Sequence, residues 1–284
     1  MLTTELSMHR PWYIKTAKAI LQKAGLYDSA RRVYLHGQRM IVVYSPLNKW
    51  RRIRCEWQGI PLPPSELIFT VAGTFDVKWF LEGGRLGAES ILEILNRNNI
   101  PPDSLKSILD LGCGCGRVIR HLKPLANSEL YGTDYNAKLV DWCNTHLAFA
   151  HFGVNDLTPP LSYNDGKFDF VYALSIFTHL PEHLQLSWMN ELKRIIREGG
   201  YLLITTHGRH YLSQLTPTEQ VQFQNGQLVQ RNSGAAGSNS CNAYHPEEYV
   251  RTTLAHGFEE VDFIREGAKG NPKQDAFLLR RKSS

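Results

Sequence analysis

A glycine-rich loop is the residue pattern with the clearest chemical meaning in this chain. Glycines occupy alternate positions 112, 114 and 116, just after an apolar run that contains Asp110. Because glycine has no Cβ atom, such a backbone turns tightly and lets a ligand lie directly against it. A nicotinamide-type loop has the spacing G-x-G-x-x-G, and the Asp110 carboxylate would repel a phosphate. The pattern therefore favours a ligand that carries a cationic group.

A second acidic residue, Asp134, stands 18 residues after Gly116, at the end of the next predicted strand. A carboxylate in that position can accept two hydrogen bonds from the vicinal hydroxyls of a ribose. Tyr135 follows it directly and is placed to stack on a purine base. These residues predict a site for a ligand that contains adenosine.

Together these motifs resemble the class I S-adenosylmethionine-dependent methyltransferases over roughly residues 102–279. The family signature Asp-x-Gly-x-Gly-x-Gly matches at 110–116, and the acidic ribose position matches at Asp134. Asn155 and Asp156 stand where the family places the residue beside the adenine amino group, and the stretch from Ser175 is similar to bacterial small-molecule methyltransferases. The resemblance implies S-adenosylmethionine as the cofactor. It assigns cofactor binding to Asp110, Gly112, Gly114, Gly116, Asp134, Tyr135, Asn155, Asp156 and Ser175.

Three histidines are candidates for a catalytic base, which an oxygen nucleophile needs and which a pKa near neutrality suits. His179 follows the fourth predicted strand and is the first choice. His207 ends the fifth strand, and His245 follows a polar insert. For each of them a structural hydrogen-bonding function is the alternative. His183 could share a helical face with His179, but no third metal ligand is evident nearby, so no metal site is predicted.

The elements that must position these residues alternate between strands and helices. Apolar runs predict strands at 107–111, 129–134, 150–154, 168–174 and 201–206, and Asn136 is predicted to begin one of the intervening helices. A helix is also predicted directly after the glycine loop. Strands at 258–264 and 276–280 would form a closing antiparallel pair. The fold class is thus α/β; the resemblance implies a Rossmann-like, seven-stranded sheet with helices on both faces and an antiparallel last hairpin.

Two further segments are predicted to flank this sheet. Residues 1–85 form a helical, basic cap segment, which includes a helical pattern at 14–24, and residues 86–284 form the methyltransferase domain. An insert at about 209–243 interrupts the alternation. Because its stretch at 234–240 is small and polar, a mobile loop or lid is expected there. The cap and the insert would select the acceptor.

Composition and charge exclude several classes of protein. With 284 residues, 42% hydrophobic and 21% charged, the chain can bury a sizeable core, which excludes general disorder. No apolar run approaches the roughly 18 residues of a membrane span, so an integral membrane protein is excluded and no membrane partner is expected. The first ten residues lack the apolar core of a secretory signal. Five scattered cysteines fit a reducing compartment, so cytoplasmic localisation is expected.

A basic patch leaves a second type of partner open. Seven of the 32 Lys and Arg residues lie between 31 and 54, where there is no Asp or Glu. This patch is either a surface for a nucleic acid or another polyanion, or a solvated basic face of a small N-terminal element.

The sequence therefore predicts an enzyme, a methyltransferase that acts on an oxygen or nitrogen of a small-molecule acceptor. The alternatives are an RNA or polyanion methyltransferase that uses the basic patch, a non-catalytic methyltransferase-like scaffold, and a dehydrogenase that binds NAD. The sequence does not indicate an oligomeric state.

Overall fold

The predicted strands form one mixed sheet in the computed structural model, which describes residues 27–57, 59–122, 127–270 and 273–283. Its strands are β1 (Ser107–Leu111), β2 (Glu129–Asp134), β3 (His151–Val154), β4 (Phe168–Ala173), β5 (Ile196–Thr206), β8 (Phe258–Ala268) and β9 (Gln274–Arg281). Two short strands, β6 (Val229–Arg231) and β7 (Asn242–Tyr244), pair separately.

The strand order is β3-β2-β1-β4-β5-β9-β8. All pairs from β3 to β5 are parallel, whereas β9 is antiparallel to both β5 and β8. The predicted Rossmann-like sheet with an antiparallel last hairpin is therefore confirmed. After β1 the chain runs outward to β2 and β3 and then returns to β4 on the other side of β1. This reversal opens a crevice at the carboxyl ends of β1 and β4, where ligands bind in sheets of this type.

Eight α-helices accompany the sheet in the described part of the chain. They are α1 (Tyr27–Val43), α2 (Pro46–Trp57), α3 (Ser65–Ala72), α4 (Val77–Arg97), α5 (Ala137–His146), α6 (Glu182–Ile195), α7 (Pro217–Gln224) and α8 (Glu247–Tyr249). The Asn136 side chain accepts a hydrogen bond from the backbone N–H of Lys138, which confirms it as the cap of α5. None of these helices combines the length and the hydropathy that a bilayer crossing requires.

Helices cover both faces of the sheet, as the sequence predicts. Successive residues of β1 point to opposite faces, so Leu109 packs in one core with Leu192 of α6, and Ile108 packs in another with Ile91 of α4. All five residues of β1 are buried. Burial on both faces explains why apolar residues occupy neighbouring positions of β1, at Ile108, Leu109 and Leu111.

The helix predicted after the glycine loop is wrong for the residues that the structure describes there. Residues 114–118 form turns, and the only helical segment between residues 113 and 122 is a short 3₁₀-helix, Ile119–His121. Gly116 has a φ of 70°, which an α-helix does not allow. The guanidinium of the buried Arg120 donates hydrogen bonds to the carbonyls of Cys115 and Gly116. In an α-helix the Gly116 carbonyl would instead accept the backbone N–H of Arg120.

Several predicted boundaries also differ from the structure. Helix α4 runs through position 85, so the proposed division at 85/86 falls inside an element, and the two-segment organisation stays a prediction. Strand β5 begins at Ile196 rather than at residue 201. The helical pattern at 14–24 lies outside the described residues.

The insert at 209–243 contains more regular structure than the sequence indicates. It holds a 3₁₀-helix (Arg209–Gln214), α7, β6 and the first residues of β7. Phe223 and Val229 of the insert pack with Tyr244 in a small core of their own. A loop at 232–241 connects β6 to β7.

Candidate active site

A cavity of about 480 Å³ opens at the carboxyl ends of β1 and β4. Its wall combines the sheet with α3 on one side and with the insert on the other, through Val71 and Gly237 respectively. Most of the predicted site residues meet here. Those that line the cavity are Asp110, Gly112, Gly114, Asp134, Tyr135, Asn155, Asp156, Ser175 and His179.

The glycine loop is pressed closely against its neighbours. Gly112 and Gly114 have φ values of 76° and 57°, in the left-handed region that favours glycine. A Cβ atom on Gly114 would lie 2.7 Å from a methyl carbon of Val71, and one on Gly112 would lie 2.1 Å from Ile176. The loop therefore has no room for side chains and presents backbone to the cavity, as a ligand-cradling turn requires.

Gly116 is not among the residues that line the cavity, and its predicted contact with the cofactor stays a prediction. A Cβ atom there would lie 2.4 Å from Leu147, a residue that follows α5. This third glycine lets the loop pack against the α5 region instead. The three glycines therefore differ in function: Gly112 and Gly114 present backbone to the cavity, and Gly116 allows close packing against the α5 region. Their alternate spacing does not reveal this difference.

Asp110 lies fully buried at the base of the cavity. Burial raises the pKa of its carboxyl to about 7, although the nearby Arg117 guanidinium opposes this shift. A buried carboxylate is stabilised by a second positive charge, because the low-dielectric surroundings strengthen the attraction. The α-ammonium group of S-adenosylmethionine is such a charge. The residue type and its burial thus fit the amino acid end of that cofactor.

Asp134 is held in a fixed orientation at the end of β2. One carboxylate oxygen accepts a hydrogen bond from the N–H of Gly114 at 2.9 Å, and the other accepts one from the N–H of Asn136 at 2.8 Å. Burial raises the pKa of this carboxyl, while the two N–H donors oppose the shift. A carboxylate has about four acceptor positions, so two hydroxyl groups of a ribose can still be accepted.

The polar residues after β3 leave one hydrogen-bond acceptor unused. The side-chain Oδ1 atom of Asn155 is buried and has no partner among the described residues, while its Nδ2 donates to the Asp156 carbonyl. An exocyclic amino group is a donor that would satisfy this oxygen. Tyr135 forms an adjacent wall and donates from its hydroxyl to the Gly237 carbonyl at 3.0 Å. These contacts fit an adenine ring.

His179 is the one predicted base that reaches the cavity. Its Nδ1 lies 2.9 Å from the carbonyl oxygen of Cys241, at the end of the insert loop. Burial lowers the pKa of the imidazole below its usual 6.5. The ring is therefore neutral at pH 7 and fixed in one orientation.

His207 and His245 do not line the cavity. His207 packs against the ring of Tyr211 at 4.2 Å, and burial lowers its pKa to about 3. His245 is 1% exposed, its Nε2 lies 3.0 Å from Gln185 Oε1, and its pKa is likewise lowered to about 3 by burial. Both imidazoles are neutral and buried, and a catalytic function for either of them stays a prediction.

The structure adds cavity residues that sequence reasoning missed. Gln274 of β9 accepts a hydrogen bond from the Thr205 hydroxyl at 2.7 Å and donates one to the Ser175 hydroxyl at 2.8 Å. Ser175 has a φ of 62° and donates its N–H to Thr205, so this network fixes a strained turn after β4. Tyr211 of the insert also lines the cavity. The polar pair at 274–275, just before the apolar run at 276–279, is the available sequence signal for Gln274.

The cysteines of the glycine loop are buried fillers in this geometry. Burial raises the pKa of the Cys115 thiol to about 12, and that of Cys113 is also raised, chiefly through its contact with the Cys143 thiol. The described residues contain no group of three or more His, Cys, Asp or Glu side chains placed to hold a metal ion.

Comparison with known proteins assigns this domain. Residues 109–204 match the protein family described as "Methyltransferase domain". The chain carries a class I S-adenosylmethionine-dependent methyltransferase domain. The solved PH0226 protein from Pyrococcus horikoshii resembles it with a TM-score of 0.50 at 17% identity, over 68% of this chain and 91% of that one, a likeness in fold.

Two curated relatives of the methyltransferase domain differ in their acceptors. The tRNA N(3)-cytidine methyltransferase METTL2 of Gallus gallus is 28% identical over 44% of this chain. The chloroplastic tocopherol O-methyltransferase of Arabidopsis thaliana is 32% identical over 41% of this chain. The matched segment spans 35% of the length of each relative. The similarity thus concerns the methyltransferase domain and leaves the acceptor class open.

Proposed function

We propose that this protein transfers the methyl group of S-adenosylmethionine to an oxygen or nitrogen atom of a small acceptor molecule. The observation that carries the proposal is the position of His179, whose ring lines the same cavity as the glycine loop, Asp110 and Asp134. When bound, the cofactor supplies a methyl group on a positively charged sulfur, which is already activated toward a nucleophile. The protein then has to bind, orient and desolvate the acceptor.

The residues that would hold the cofactor divide by chemical function. Asp110 pairs with the ammonium group, and Asp134 accepts the ribose hydroxyls. Asn155 Oδ1 accepts the adenine amino group, and Tyr135 covers the ring. Each assignment rests on the burial or the unused hydrogen-bonding capacity of the side chain concerned.

His179 is suited to accept a proton from the acceptor. Because a carbonyl oxygen can only accept, the contact with the Cys241 carbonyl places the imidazole proton on Nδ1. The neutral ring then carries its lone pair on Nε2. Since burial keeps the ring neutral at pH 7, this nitrogen is available as a general base.

The form of the cavity supports a small acceptor. Its volume of about 480 Å³ lies within the range of roughly 300–1,000 Å³ that is typical of small-molecule sites, and because the cofactor takes up part of it, the space left suits a small acceptor. The insert closes one side, because the Gly237 N–H donates to the His179 carbonyl while the Gly237 carbonyl accepts from Tyr135. The likeness to the Arabidopsis tocopherol O-methyltransferase favours an oxygen acceptor.

An RNA methyltransferase is the second candidate, favoured by the likeness to the tRNA methyltransferase of Gallus gallus. The basic patch supports it weakly, because three of its guanidinium groups make internal contacts. Arg39 pairs with Glu66, Arg51 pairs with Asp76, and Arg52 donates to the Pro63 carbonyl. Groups that are already paired contribute less to phosphate binding.

We expect the reaction to take place in a reducing compartment such as the cytoplasm. All five cysteines are unpaired and buried. A reducing compartment keeps such thiols in this state.

The test begins with calorimetry. S-adenosylmethionine and S-adenosylhomocysteine should both bind, and NAD should not. Methyl transfer from labelled S-adenosylmethionine is then measured with three acceptor pools: water-soluble metabolites, extracted lipids and total tRNA. Label in either of the first two pools supports the proposal. Label in tRNA alone supports the RNA alternative, and cofactor binding without any transfer supports a non-catalytic scaffold.

A pair of variants tests the base. His179→Ala should lower kcat by about a hundredfold or more while cofactor affinity changes little. His183→Ala, an exposed histidine four residues along the chain, is the matched control and should retain wild-type kcat. An undiminished kcat for His179→Ala across pH 6–9 would remove His179 from the reaction.

A further inference from the structure

Helices α1 and α2 expose an unusual amount of apolar surface. Eight large side chains on them and on their connection are between 48% and 74% exposed. We call this surface the α1–α2 face; it consists of Val33, Tyr34, Met40, Ile41, Tyr44, Leu47, Trp50 and Ile53. Single exposed apolar residues are common on proteins, but eight of them on two successive helices point to an interaction surface.

The α2 part of the face is the outer side of a helix that is hydrogen-bonded to the domain. On α2, the exposed residues Leu47, Trp50 and Arg54 are spaced by three and four, so they share one side of the helix. The opposite side carries the buried Asn48, which donates to the Phe75 carbonyl and accepts the N–H of Val77. The exposure therefore belongs to an anchored helix.

Positive charge accompanies the apolar side chains. Between residues 29 and 57 the sequence contains seven Lys and Arg residues, and Glu56 is the only acid. The Lys49 ammonium lies 5.4 Å from the centre of the Tyr44 ring, and the Arg54 guanidinium lies 5.4 Å from that of Trp50. Aromatic and aliphatic side chains interleaved with cations are typical of helices that lie in a membrane interface.

We propose that the α1–α2 face binds the surface of a membrane that contains anionic lipids. An RNA partner would use the cations and the aromatic rings but would gain little from the exposed Val33, Ile41 and Ile53. A second copy of this chain would bring like charges together. An anionic lipid surface matches both the apolar side chains and the positive charge of the face. It takes up apolar side chains between its headgroups and attracts Lys and Arg. Composition excludes a membrane span and says nothing of this mode of binding.

The α1–α2 face is connected to the cavity wall through hydrogen bonds between α2 and the start of α3. Arg52 of α2 donates to the Pro63 carbonyl and to the Ser65 hydroxyl at the start of α3. The other end of α3 supplies Val71 and Gly73 to the cavity wall. Binding through the α1–α2 face would therefore hold this wall close to the lipid surface. The inference goes beyond the proposed function and does not depend on it.

The experiment is vesicle co-sedimentation with the full chain. Vesicles of phosphatidylcholine and phosphatidylglycerol in equal parts should retain the protein, and vesicles of phosphatidylcholine alone should retain much less. Added salt should weaken the binding, because it screens the charge attraction. Ile53→Ser should weaken it about tenfold, because one large apolar side chain is lost from the interface. Lys49→Gln with Arg54→Gln should weaken it about twenty-five-fold, at about fivefold for each charge.

Matched controls separate the face from general effects. Val221→Ser alters an apolar side chain of α7 that is 56% exposed, and Lys282→Gln removes an exposed charge near the C-terminus; neither should change binding. Calorimetry with S-adenosylhomocysteine shows whether each variant keeps its cofactor site. Loss of vesicle binding bears on the membrane proposal, and loss of cofactor binding bears on the proposed function, so the two failures are distinguishable.

Three results would overturn the proposal. The first is no retention by anionic vesicles. The second is an oligomer, seen by light scattering, that Ile53→Ser dissociates, because the face would then join copies of the chain. The third is tight binding of an RNA oligonucleotide that Lys49→Gln with Arg54→Gln abolishes while Ile53→Ser has no effect.

Discussion

The buried Asp110 carboxyl predicts that cofactor binding depends on pH. With a pKa of about 7 in the free protein, it is half ionised at pH 7 and about 3% ionised at pH 5.5. If only the ionised form pairs with the ammonium group, apparent affinity should fall about fifteenfold from pH 7 to pH 5.5. The α-amino group of the ligand, with a pKa of about 8, stays protonated over this interval.

Calorimetry with S-adenosylhomocysteine measures this dependence directly. At pH 6, buffers with different ionisation enthalpies should reveal the release of close to one proton for each ligand bound. Asp110→Asn should bind more weakly and show a flat profile, whereas Asp141→Asn, an exposed acid on α5, should keep the wild-type profile. A flat profile for the wild type would refute the assignment, and so would an unchanged slope in Asp110→Asn.

The raised pKa of the Asp110 carboxyl also predicts how the stability of the protein depends on pH. The pKa of Asp110 in the folded protein lies above its value of 3.8 in the unfolded chain, so the folded state binds more protons between these values. The contribution of Asp110 to stability is thus complete below pH 3.8 and is lost as the pH rises through about 7. Because a bound ammonium group would offset this loss, the difference in Tm between ligand-bound and free protein should widen from pH 5.5 to pH 7.

Three further substitutions test the geometry of the site. Gly114→Ala should reduce the free energy of unfolding by about 1–2 kcal/mol in urea titrations, because its φ is positive and its surroundings are filled; Gly234→Ala, with open space around it, should have little effect. Asp134→Ala should cost about 2 kcal/mol by the same measurement, since it leaves buried N–H groups unpaired. Tyr135→Phe removes the hydrogen bond to Gly237, so proteolysis within 232–241 should accelerate roughly fivefold.

Much of the fold follows from local patterns in the sequence. Apolar residues at neighbouring positions, as in 107–111, predict buried strands because a strand covered on both faces buries side chains on both sides. Asn136 predicts the start of α5 because its side chain satisfies a backbone N–H only a few residues away. The apolar pattern and the helix cap each depend on residues that are close in the chain. They can therefore be recognised without knowing which elements pack against the strand or the helix.

The residues after the glycine loop show where local reasoning fails. The sequence predicts a helix there, but the Arg120 side chain occupies the carbonyls that a helix would pair, and it also donates to the distant Pro61 carbonyl. The burial that holds this guanidinium in place involves Phe80 and Trp142. The outcome depends on packing between segments that are far apart in sequence.

The sequence by itself determines the class of sheet, the ligand-binding turn and the two acidic residues beside it, because these rest on residue type and short spacing. Only the tertiary structure decides which of the three candidate histidines lines the cavity. His179 is fixed by the Cys241 carbonyl, 62 residues away, and Gln274 reaches Ser175 across 99 residues. Such contacts arise when the insert and the last strand pack against the parallel sheet. No spacing within the chain encodes the distances that result.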